Sequence, residues 1–475
     1  MSARELMRSG MSEDEFDAAK PTIARLKTRP LERNLALARL GMGAGAKIAL
    51  HSLSNIFRGE ISRTEADRRF YAQQAQVLAD ELGQLKGSVM KAGQMLSLYA
   101  QYFLPEEAVQ VLSTLQDSSM PVAWNVVAPQ LEQALGAKVL RELEIDHTPI
   151  AAASLGQAHR ARRRSDGLEL VVKIQYPGVA SAIDSDIKTL SRLIIASRLT
   201  PKNFDLAPIF AEVREMLLRE CDYVQERAWT EEFARRLAGD PRYAMPRVLP
   251  EYSAATVLTT TYESGCSVQD AQVRELPQAR RNALGLAFAE LFLREFFEWR
   301  LVQTDPHFGN YRVRLDADGR DRLVLLDFGA TRVYEPDFVR DYALILRGAL
   351  LRDAPTVGAG ATAIGLTDRN FPPAALQAFT EMCARIVEPF DPEHAPKELL
   401  NARGAYRFGA SDLPMRVSQI AARNAVSLSF RVPPREIVFL HRRLAGVFIA
   451  LATLGAELDL RKPLSRVLSA IAMQQ

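Results

Sequence analysis

Two short motifs in the second half of the chain constrain it more than any other feature. The first, Gln-Thr-Asp-Pro-His-Phe-Gly-Asn, supplies Asp305 and Asn310, and the second is Asp327 followed by Phe-Gly, just after an apolar stretch. In phosphoryl-transfer enzymes, one carboxylate handles the proton of the nucleophile, an asparagine holds a metal ion, and an aspartate before Phe-Gly holds metal against nucleotide phosphates. Either motif alone is a weak signal, but both in this order indicate phosphoryl-transfer chemistry.

Size and composition are those of a folded enzyme with more than one structural unit. At 475 residues the chain exceeds what one compact core usually supports. Hydrophobic residues make up 48% and charged residues 25%, which is ordinary for a globular protein. The formal net charge of +3 is too small to indicate nucleic-acid binding. We therefore expect two or three units and no nucleic-acid partner.

The cysteines and the hydropathy bear on the compartment. The three cysteines are scattered, without a Cys-x-x-Cys pair, which fits a reducing compartment and indicates no zinc site. The amino terminus lacks the apolar stretch of a secretory signal. The closest candidate for a membrane span, residues 444–455, is short and flanked by charges. That length predicts a buried core helix rather than a span.

The first part of the chain reads as helical. Its first sixty residues carry a locally basic stretch, which could lie against anionic lipid or form the solvated face of a helix. Apolar residues recur at helical spacing from Thr64 to about Tyr102. Within this pattern, Lys86–Gln94 contains glycines that weaken a helix by up to about 1 kcal/mol each. They indicate either close packing or a backbone contact.

A small β-rich region follows, and then a larger helical one. Short alternating or β-branched runs predict strands at 143–146, 159–163, 168–175, 244–248 and 256–262. Long helices are predicted over 179–198 and 206–237. From about residue 268 the pattern is mostly helical, apart from strands at 311–314 and 322–326. The fold class expected is α+β, with a small antiparallel β lobe ahead of a larger helical lobe.

Lys173 is the charged residue inside an otherwise apolar strand, Leu170–Ile174. Burying an ammonium is costly unless an anion meets it, so a carboxylate or phosphate partner is predicted, against the alternative of an edge-strand lysine pointing to water. The downstream aspartates favour the strand lysine that contacts nucleotide phosphates. Three acids on the following helix are candidate partners of this lysine: Glu220, Asp222 and Glu226. The alternative is that they form a solvated acidic face. Glu220 and Glu226 would lie about 120° apart on that helix and could face different cations.

A run rich in alanine lies between the first two predicted strands, from Ala151 to His159. A phosphate-binding loop at this place normally uses glycines, which let backbone amides approach phosphate closely. Here alanines occupy most of those positions. From the residues alone the run is a small-residue turn, and it argues against an ordinary protein kinase.

Taken in order, these segments resemble the UbiB (AarF) family of atypical protein-kinase-like proteins, from about residue 60 to the carboxyl terminus. Lys91, Gly93 and Gln94 fit the family's K-x-G-Q signature. The family's alanine-rich loop matches Ala151, Ala152, Ala153, Ser154, Leu155, Gly156 and Gln157. Its strand lysine matches Lys173, and its E-x-D motif matches Glu220 with Asp222. Its catalytic loop matches Asp305 with Asn310, and its metal motif matches Asp327. The resemblance implies a protein-kinase-like bilobal fold with a helical amino-terminal extension.

The resemblance also implies how the two lysines are used. Lys173 would contact the α and β phosphates of ATP and pair with Glu226. Lys91 would reach into the active site from the extension and pair with Glu220. The extension would cover the place where a peptide substrate lies, so peptide phosphorylation is not expected.

The remaining site residues follow from the same resemblance. Asn310 and Asp327 would bind Mg²⁺, and Asp305 would be the catalytic-loop carboxylate. The nucleotide would lie against the alanine-rich loop and an adenine-binding hinge at Thr260, Thr261 and Tyr262. Thr261 departs from the acidic residue more usual there, and the loop reads Gln-Thr-Asp rather than His-Arg-Asp.

Four segments are therefore expected along the chain. They are a helical, basic amino-terminal segment (1–60), the helical K-x-G-Q extension (61–138), a kinase-like amino-terminal lobe with inserted helices (139–265) and a helical carboxyl-terminal lobe (266–475).

The function implied is that of an Mg-ATP-dependent atypical kinase or ATPase that supports ubiquinone biosynthesis at a membrane surface. The expected partners are ATP, Mg²⁺, a lipid surface contacted peripherally, quinone precursors and quinone-biosynthesis proteins. A second copy of the chain, in a homodimer, is a further candidate partner. The expected location is cytoplasmic, or the matrix face of a mitochondrial membrane.

Two other functions are alternatives to this one. A nucleotide-gated scaffold would organise biosynthetic enzymes with little turnover, and it would not need Asp305, whose presence favours chemistry. A conventional protein kinase is disfavoured by the alanine-rich loop, by the K-x-G-Q segment and by the absence of Ala-Pro-Glu after Asp-Phe-Gly.

Overall fold

The computed structural model describes residues 91–93, 95–96, 121–196, 207–368, 370–413, 416 and 434–473. The predictions for residues 1–60, and most of those for the K-x-G-Q extension, lie outside the described residues. The chain divides into two compact units. Of the described residues, the first unit takes in those up to Ala228 together with Arg247–Tyr262, and the second comprises Trp229–Pro246 and those from Glu263 onward.

The secondary structure of the described residues is mixed. The α-helices are α1 Trp124–Leu135, α2 Ala137–Leu140, α3 Val179–Ala196, α4 Ala207–Glu220, α5 Tyr223–Leu237, α6 Ala271–Arg274, α7 Gln278–Leu293, α8 Pro336–Leu351, α9 Ala354–Ala363, α10 Pro373–Ile386, α11 Arg435–Thr453 and α12 Arg461–Ala472. The strands are β1 Leu143–Ala152, β2 Gly156–Arg163, β3 Glu169–Gln175, β4 Tyr243–Ala244, β5 Val257–Thr261, β6 Leu301–Gln303, β7 Tyr311–Arg314, β8 Arg322–Leu325, β9 Thr331–Val333, β10 Tyr406–Arg407 and β11 Glu457–Leu458.

The first unit is built on an antiparallel sheet of four strands in the order β1-β2-β3-β5. Strand β3 lies in its interior, and Leu170, Val172 and Ile174 are fully buried on one face. Because side chains alternate along a strand, Lys173 projects from the opposite face, where it is only partly covered. The small β-rich unit expected from the sequence is thus present.

The single helix predicted over 206–237 is wrong, because the chain forms two helices there. Helix α4 ends at Glu220 and α5 begins at Tyr223. The carboxylate of Asp222 accepts a hydrogen bond from the backbone N–H of Gln225 (2.9 Å), which is the bond of a helix N-cap. Glu220 and Glu226 therefore lie on different helices, so the angle between them on one helix has no meaning.

Two predicted strand boundaries are also wrong. The strand expected at 244–248 is the short β4, and Val248 makes only an isolated bridge to Thr260. Pro246 lacks the N–H that would continue a ladder, which accounts for the early end. In the other direction, β1 continues beyond Asp146 to Ala152, with register shifts around Pro149. The alanine-rich run is therefore partly strand.

The second unit is mostly helical and has one large hydrophobic core. It also contains small sheets: β4, β8 and β7 form one of three strands, and β6 pairs with β9 in another. Helix α7 is followed by a π-helical turn at Arg294–Glu298. Of the predicted core segment 444–455, the residues up to Thr453 belong to α11, and several of them lie in this core. The predicted core helix is confirmed. Among the described residues, no helix has both the length and the apolar character needed to cross a membrane.

Candidate active site

Lys173 and Glu226 form a close ion pair in the first unit. The ammonium of Lys173 donates to both carboxylate oxygens of Glu226, at 2.7 and 2.8 Å. Strand β3 carries the lysine and the first turn of α5 carries the acid, whose side chain is only 4% exposed. The ring of Tyr223, which begins α5, lies beneath the ammonium at 5.1 Å. A buried carboxylate that meets the lysine from a helix holds the ammonium in a fixed place.

Lys91 and Glu220 form a second ion pair in the same unit. The ammonium lies 2.8 Å from the carboxylate, and the two side chains are 21% and 22% exposed. Glu220 is the last residue of α4, so the break at Asp222 separates the acids that meet the two lysines. Gln94 of the K-x-G-Q signature lies outside the described residues.

The alanine-rich loop is a tight connection between β1 and β2. Its two ends pair as Ala152 opposite Gln157, and the backbone N–H of Ala153 donates to the carbonyl of Gly156 (2.8 Å). Ala151 and Ala153 are exposed, whereas Ser154 and Leu155 are buried. The loop therefore has an open alanine side and a packed second half.

The second half of this loop is fixed by contacts inside the unit. A Cβ at Gly156 would lie 2.6 Å from both the carbonyl oxygen of Ile174 and the hydroxyl of Tyr223. The side-chain amide of Gln157 is hydrogen-bonded to both backbone groups of Val122, at 2.9 and 3.0 Å. It also meets the buried His159 at 3.0 Å. The amide of Gln157 is thus occupied by hydrogen bonds inside the unit. At this position, only backbone atoms could face a nucleotide.

The predicted hinge lies at the end of β5. The hydroxyl of Thr261 accepts a hydrogen bond from the backbone N–H of Arg247 (2.9 Å). The backbone N–H of Tyr262 donates to the carbonyl of Glu169 (3.0 Å), and its ring lies 4.2 Å from the guanidinium of Arg160. Thr260 pairs across the sheet with Val171. The structure brings the hinge residues together, with the Thr261 hydroxyl engaged in the sheet edge.

The predicted catalytic loop lies in the second unit and runs from β6 to β7. Asn310 donates from its side-chain nitrogen to the carbonyl of Asp305 (3.1 Å) and to the carboxylate Oδ2 of the same residue (3.2 Å). Gln303, at the end of β6, accepts from the Asp305 backbone N–H (3.0 Å) and donates to the carbonyl of Asp327 (3.2 Å). The residue in place of the usual histidine therefore links the two motifs.

Asp327 is held by the turn that follows it. Its Oδ1 accepts from the backbone N–H of Gly329 (2.9 Å). Phe328 is 2% exposed and packs on Phe233 of α5, with ring centroids 4.6 Å apart. The Asp-Phe-Gly turn is thus anchored from the apolar side through its phenylalanine.

The side chains of Asn310 and Asp327 have the chemistry that a magnesium ion requires. The amide nitrogen of Asn310 donates to Asp305, which leaves the amide oxygen as the atom that could contact a cation. A carboxylate and an amide oxygen are hard donors of the kind that Mg²⁺ takes, together with water and phosphate oxygens. Asn310 and Asp327 are therefore suitable ligands.

Helix α11 contributes residues that the sequence motifs did not indicate. Arg442 lies 2.7 Å from Oδ1 of Asp305. A Cβ at Gly446 would overlap the ring of Pro306, so the helix backbone packs directly on the catalytic loop. No local pattern marks either residue, apart from the paired arginines at the start of an apolar run.

A buried charge network lies behind the loop. Arg443 donates to Glu295 of the π-helical turn (2.9 Å) and to the hydroxyl of Tyr311 (2.7 Å), the residue after Asn310. Arg443 and Glu295 are each 1% exposed. Burial raises the pKa of Glu295, and the guanidinium of Arg443 opposes that rise. The network ties α11 and the π-helical turn to the start of β7.

The comparison with family models decides the classification. Residues 114–359 match the ABC1 atypical kinase-like domain. The chain belongs to this family. The resemblance to UbiB-type atypical kinases seen in the sequence is confirmed, as is the kinase-like α+β fold.

Individual members of the ABC1 atypical kinase-like family match over most of the chain. "Atypical kinase COQ8, mitochondrial" of Schizosaccharomyces pombe is 33% identical over 86% of this chain, which spans 65% of that protein's length. "Atypical kinase COQ8B, mitochondrial" of Rattus norvegicus is 30% identical, over 95% of this chain and 86% of that protein. Among solved structures, the complex of Rv3197 with erythromycin from Mycobacterium tuberculosis matches with a TM-score of 0.55 and 27% identity, over 80% of this chain and 92% of that one.

Proposed function

We propose that the chain binds Mg-ATP and transfers or hydrolyses the terminal phosphoryl group, in support of ubiquinone biosynthesis at a membrane surface. The acceptor is either water or a small molecule of that pathway. Relatives that match over most of the chain are named atypical kinases, which supports phosphoryl chemistry. The part played in ubiquinone biosynthesis rests on the resemblance to the UbiB family.

The observation that carries the proposal is the ion pair between Lys173 and Glu226. In kinases, a strand lysine paired with a helix glutamate is the arrangement that places the ammonium on the nucleotide phosphates. Here both carboxylate oxygens of a nearly buried acid meet the ammonium, so its position is well determined. In this proposal Lys173 contacts the α and β phosphates, and Tyr223 holds the ammonium from below.

The catalytic loop supports the chemistry part of the proposal. Asp305 would orient the attacking hydroxyl or water and accept its proton, with the carboxylate oriented by Asn310. Asn310 and Asp327 would hold Mg²⁺, which when bound neutralises charge on the phosphate oxygens. A loop that only had to bind nucleotide would not need a carboxylate oriented in this way.

The membrane part of the proposal concerns peripheral contact. Ubiquinone is a membrane-embedded polyprenyl quinone, so an enzyme of its pathway must meet substrates or partners at the lipid surface. The relatives named above are mitochondrial proteins by name. We place the chain at a membrane face in contact with quinone-biosynthesis proteins, on the matrix side if the source is eukaryotic.

The test is Mg-ATP hydrolysis by the purified full chain, with and without anionic liposomes, for the wild type and two variants. Asp327→Asn should remove the Mg²⁺-dependent thermal shift that nucleotide gives. Asp305→Asn should keep that shift and lose hydrolysis by at least about a hundredfold. A matched control is Asp318→Asn, which alters an exposed loop carboxylate of the same unit.

Each outcome of this test bears on a separate part of the proposal. An undiminished thermal shift in Asp327→Asn would remove that residue as a metal ligand. Hydrolysis retained in Asp305→Asn would remove its catalytic role. If the wild type binds nucleotide but hydrolyses none under any condition, the nucleotide-gated scaffold replaces the enzyme.

A further inference from the structure

The catalytic loop carries no lysine or arginine of its own. Between Asp305 and Asn310 the chain reads Pro-His-Phe-Gly. His307 is turned back on the loop, because its Nδ1 accepts from the backbone N–H of Gly309 (3.0 Å). Phosphoryl transfer develops negative charge beside the catalytic carboxylate, where a fixed cation is stabilising. A side chain that places a positive charge beside Asp305 has to come from another part of the chain.

Helix α11 brings a guanidinium to that place. Arg442 meets Oδ1 of Asp305 at 2.7 Å, while Asn310 meets Oδ2 at 3.2 Å. The two carboxylate oxygens are thus held by two different residues, and the rotamer of Asp305 is fixed from both sides. The side chains of Arg442 and Asp305 are 31% and 25% exposed, so the pair lies at the open side of the loop and not in the core.

The backbone of α11 is fixed on the loop at two further points. Gly446, one turn after Arg442, packs against Pro306, the residue that follows Asp305. Arg443, the next residue along the helix, is buried and bonds both Glu295 and Tyr311. Contacts on both sides of the loop therefore fix the position and rotation of α11. They thereby fix the point from which the Arg442 side chain projects. A surface arginine on a mobile helix would not be placed in this way.

We propose that Arg442 is the positioning residue of the catalytic loop, supplying from α11 the fixed cation that the loop lacks and holding Asp305 in its working orientation. This inference rests on the proposed phosphoryl-transfer function. The planar fork of an arginine suits the task better than an ammonium, because it fixes direction as well as charge. Arg442 acts on the reaction through Asp305 and is not needed for the nucleotide to bind.

The test is steady-state Mg-ATP hydrolysis by the full chain carrying Arg442→Gln, Arg442→Lys or Arg435→Gln, with anionic liposomes where the wild type needs them. We expect kcat to fall about 10–100-fold in Arg442→Gln, with the KM for Mg-ATP within about threefold of the wild type. Arg442→Lys should recover part of kcat, because the charge returns without the fork. Arg435→Gln removes an exposed arginine from the same helix and should leave both constants unchanged.

Thermal unfolding of each variant separates positioning from folding. We expect the melting temperature of Arg442→Lys to match that of the wild type, so its kcat reports on the loop even if Arg442→Gln folds poorly. Two results would overturn the inference. The first is a wild-type kcat in Arg442→Lys, together with a loss of kcat in Arg442→Gln that matches its loss of folded protein. The second is a raised kcat in either variant.

Failure of the inference and failure of the proposed function give different results. A wild type without any hydrolysis removes the proposed function, and the role of Arg442 with it. Hydrolysis that is equal in the wild type and in folded Arg442→Gln removes the role of Arg442 alone. A fall in kcat that Arg435→Gln shares equally also removes it, because the effect is then one of net charge.

Discussion

The two units hold their charged site residues in different ways. In the first unit, Lys173 and Glu226 meet directly, one from a strand and the other from a helix start. In the second unit, Asp305 is held partly by Asn310 of its own motif and partly by Arg442, far away in the sequence. The first arrangement is a direct pair between a strand and a helix start, whereas the second also needs helix α11.

This difference teaches where each unit is sensitive to substitution. Each ion pair of the first unit joins one lysine to one acid, so we expect that changing one of them leaves the sheet intact. The catalytic loop depends on a buried network and on close packing with α11, so substitutions in that helix should disturb both folding and the site.

The largest effect is expected from Arg443→Met. This variant leaves Glu295 buried without its cation and removes a hydrogen bond from Tyr311. Breaking a buried pair by removing one partner typically costs about 3–5 kcal/mol of unfolding free energy. The measurement is urea denaturation of the full chain.

The matched control for this prediction is Arg461→Ala, which breaks an exposed pair with Asp459 at the start of α12. An exposed pair contributes about 1 kcal/mol or less. If Arg443→Met costs no more than that control, the buried network does not support the loop and the contrast between the units fails.

A smaller effect is expected from Gly446→Ala. The added methyl group would overlap Pro306, so the helix and the catalytic loop must move apart. Overpacking of this kind costs about 1–3 kcal/mol, and we expect kcat for ATP hydrolysis to fall as well because Asp305 moves with Pro306.

The control is Gly358→Ala in α9, where the new methyl group meets only side-chain carbons of Leu376. There the higher helix propensity of alanine offsets the contact. A neutral result at Gly446 with a loss at Gly358 would show that the loop yields easily and is not clamped by α11.

The elements that carry local signals were predicted well from the sequence. Strands β2, β3, β7 and β8 were located by alternation and β-branched residues, and the fold class by the order of strands and helices. The break between α4 and α5 also carries a local signal, since Asp222 and Gln225 have the i, i+3 spacing of a capping box. Pro246 likewise marked the early end of β4.

The support of the catalytic loop could not be predicted in the same way. Arg442 and Gly446 contact Asp305 and Pro306 across more than a hundred residues of chain, and such contacts leave no periodic or motif pattern in one sequence. The pair Arg442-Arg443 is an ordinary polar start to an apolar helix when seen as letters. Only the packing of α11 gives the two arginines different tasks.

A third prediction compares the two lysine pairs of the first unit by double-mutant cycles. Lys173→Met with Glu226→Gln should give a coupling energy of about 1–3 kcal/mol, because the acid is 4% exposed. Lys91→Met with Glu220→Gln should give about 0.5 kcal/mol, because both partners there are about one fifth exposed. The measurement is the free energy of unfolding, and equal couplings would contradict the burial argument.

A fourth prediction concerns the pH dependence of α11 through His441. Burial lowers the pKa of His441 to about 4 from its ordinary 6.5, and its Nε2 meets the hydroxyl of Tyr342 at 3.1 Å. The folded state therefore favours the neutral ring. This contribution to stability is complete above pH 6.5 and is lost as the pH falls from 6.5 towards 4.

His441→Gln removes this titration and retains an amide for Tyr342. The full shift would correspond to roughly 3 kcal/mol, but His441 is only partly buried, so we expect about 1–2 kcal/mol. Between pH 7 and 4.5 the wild type should therefore lose more unfolding free energy than the variant, by that amount. Parallel losses in the two proteins would show that His441 does not anchor α11 through its neutral form.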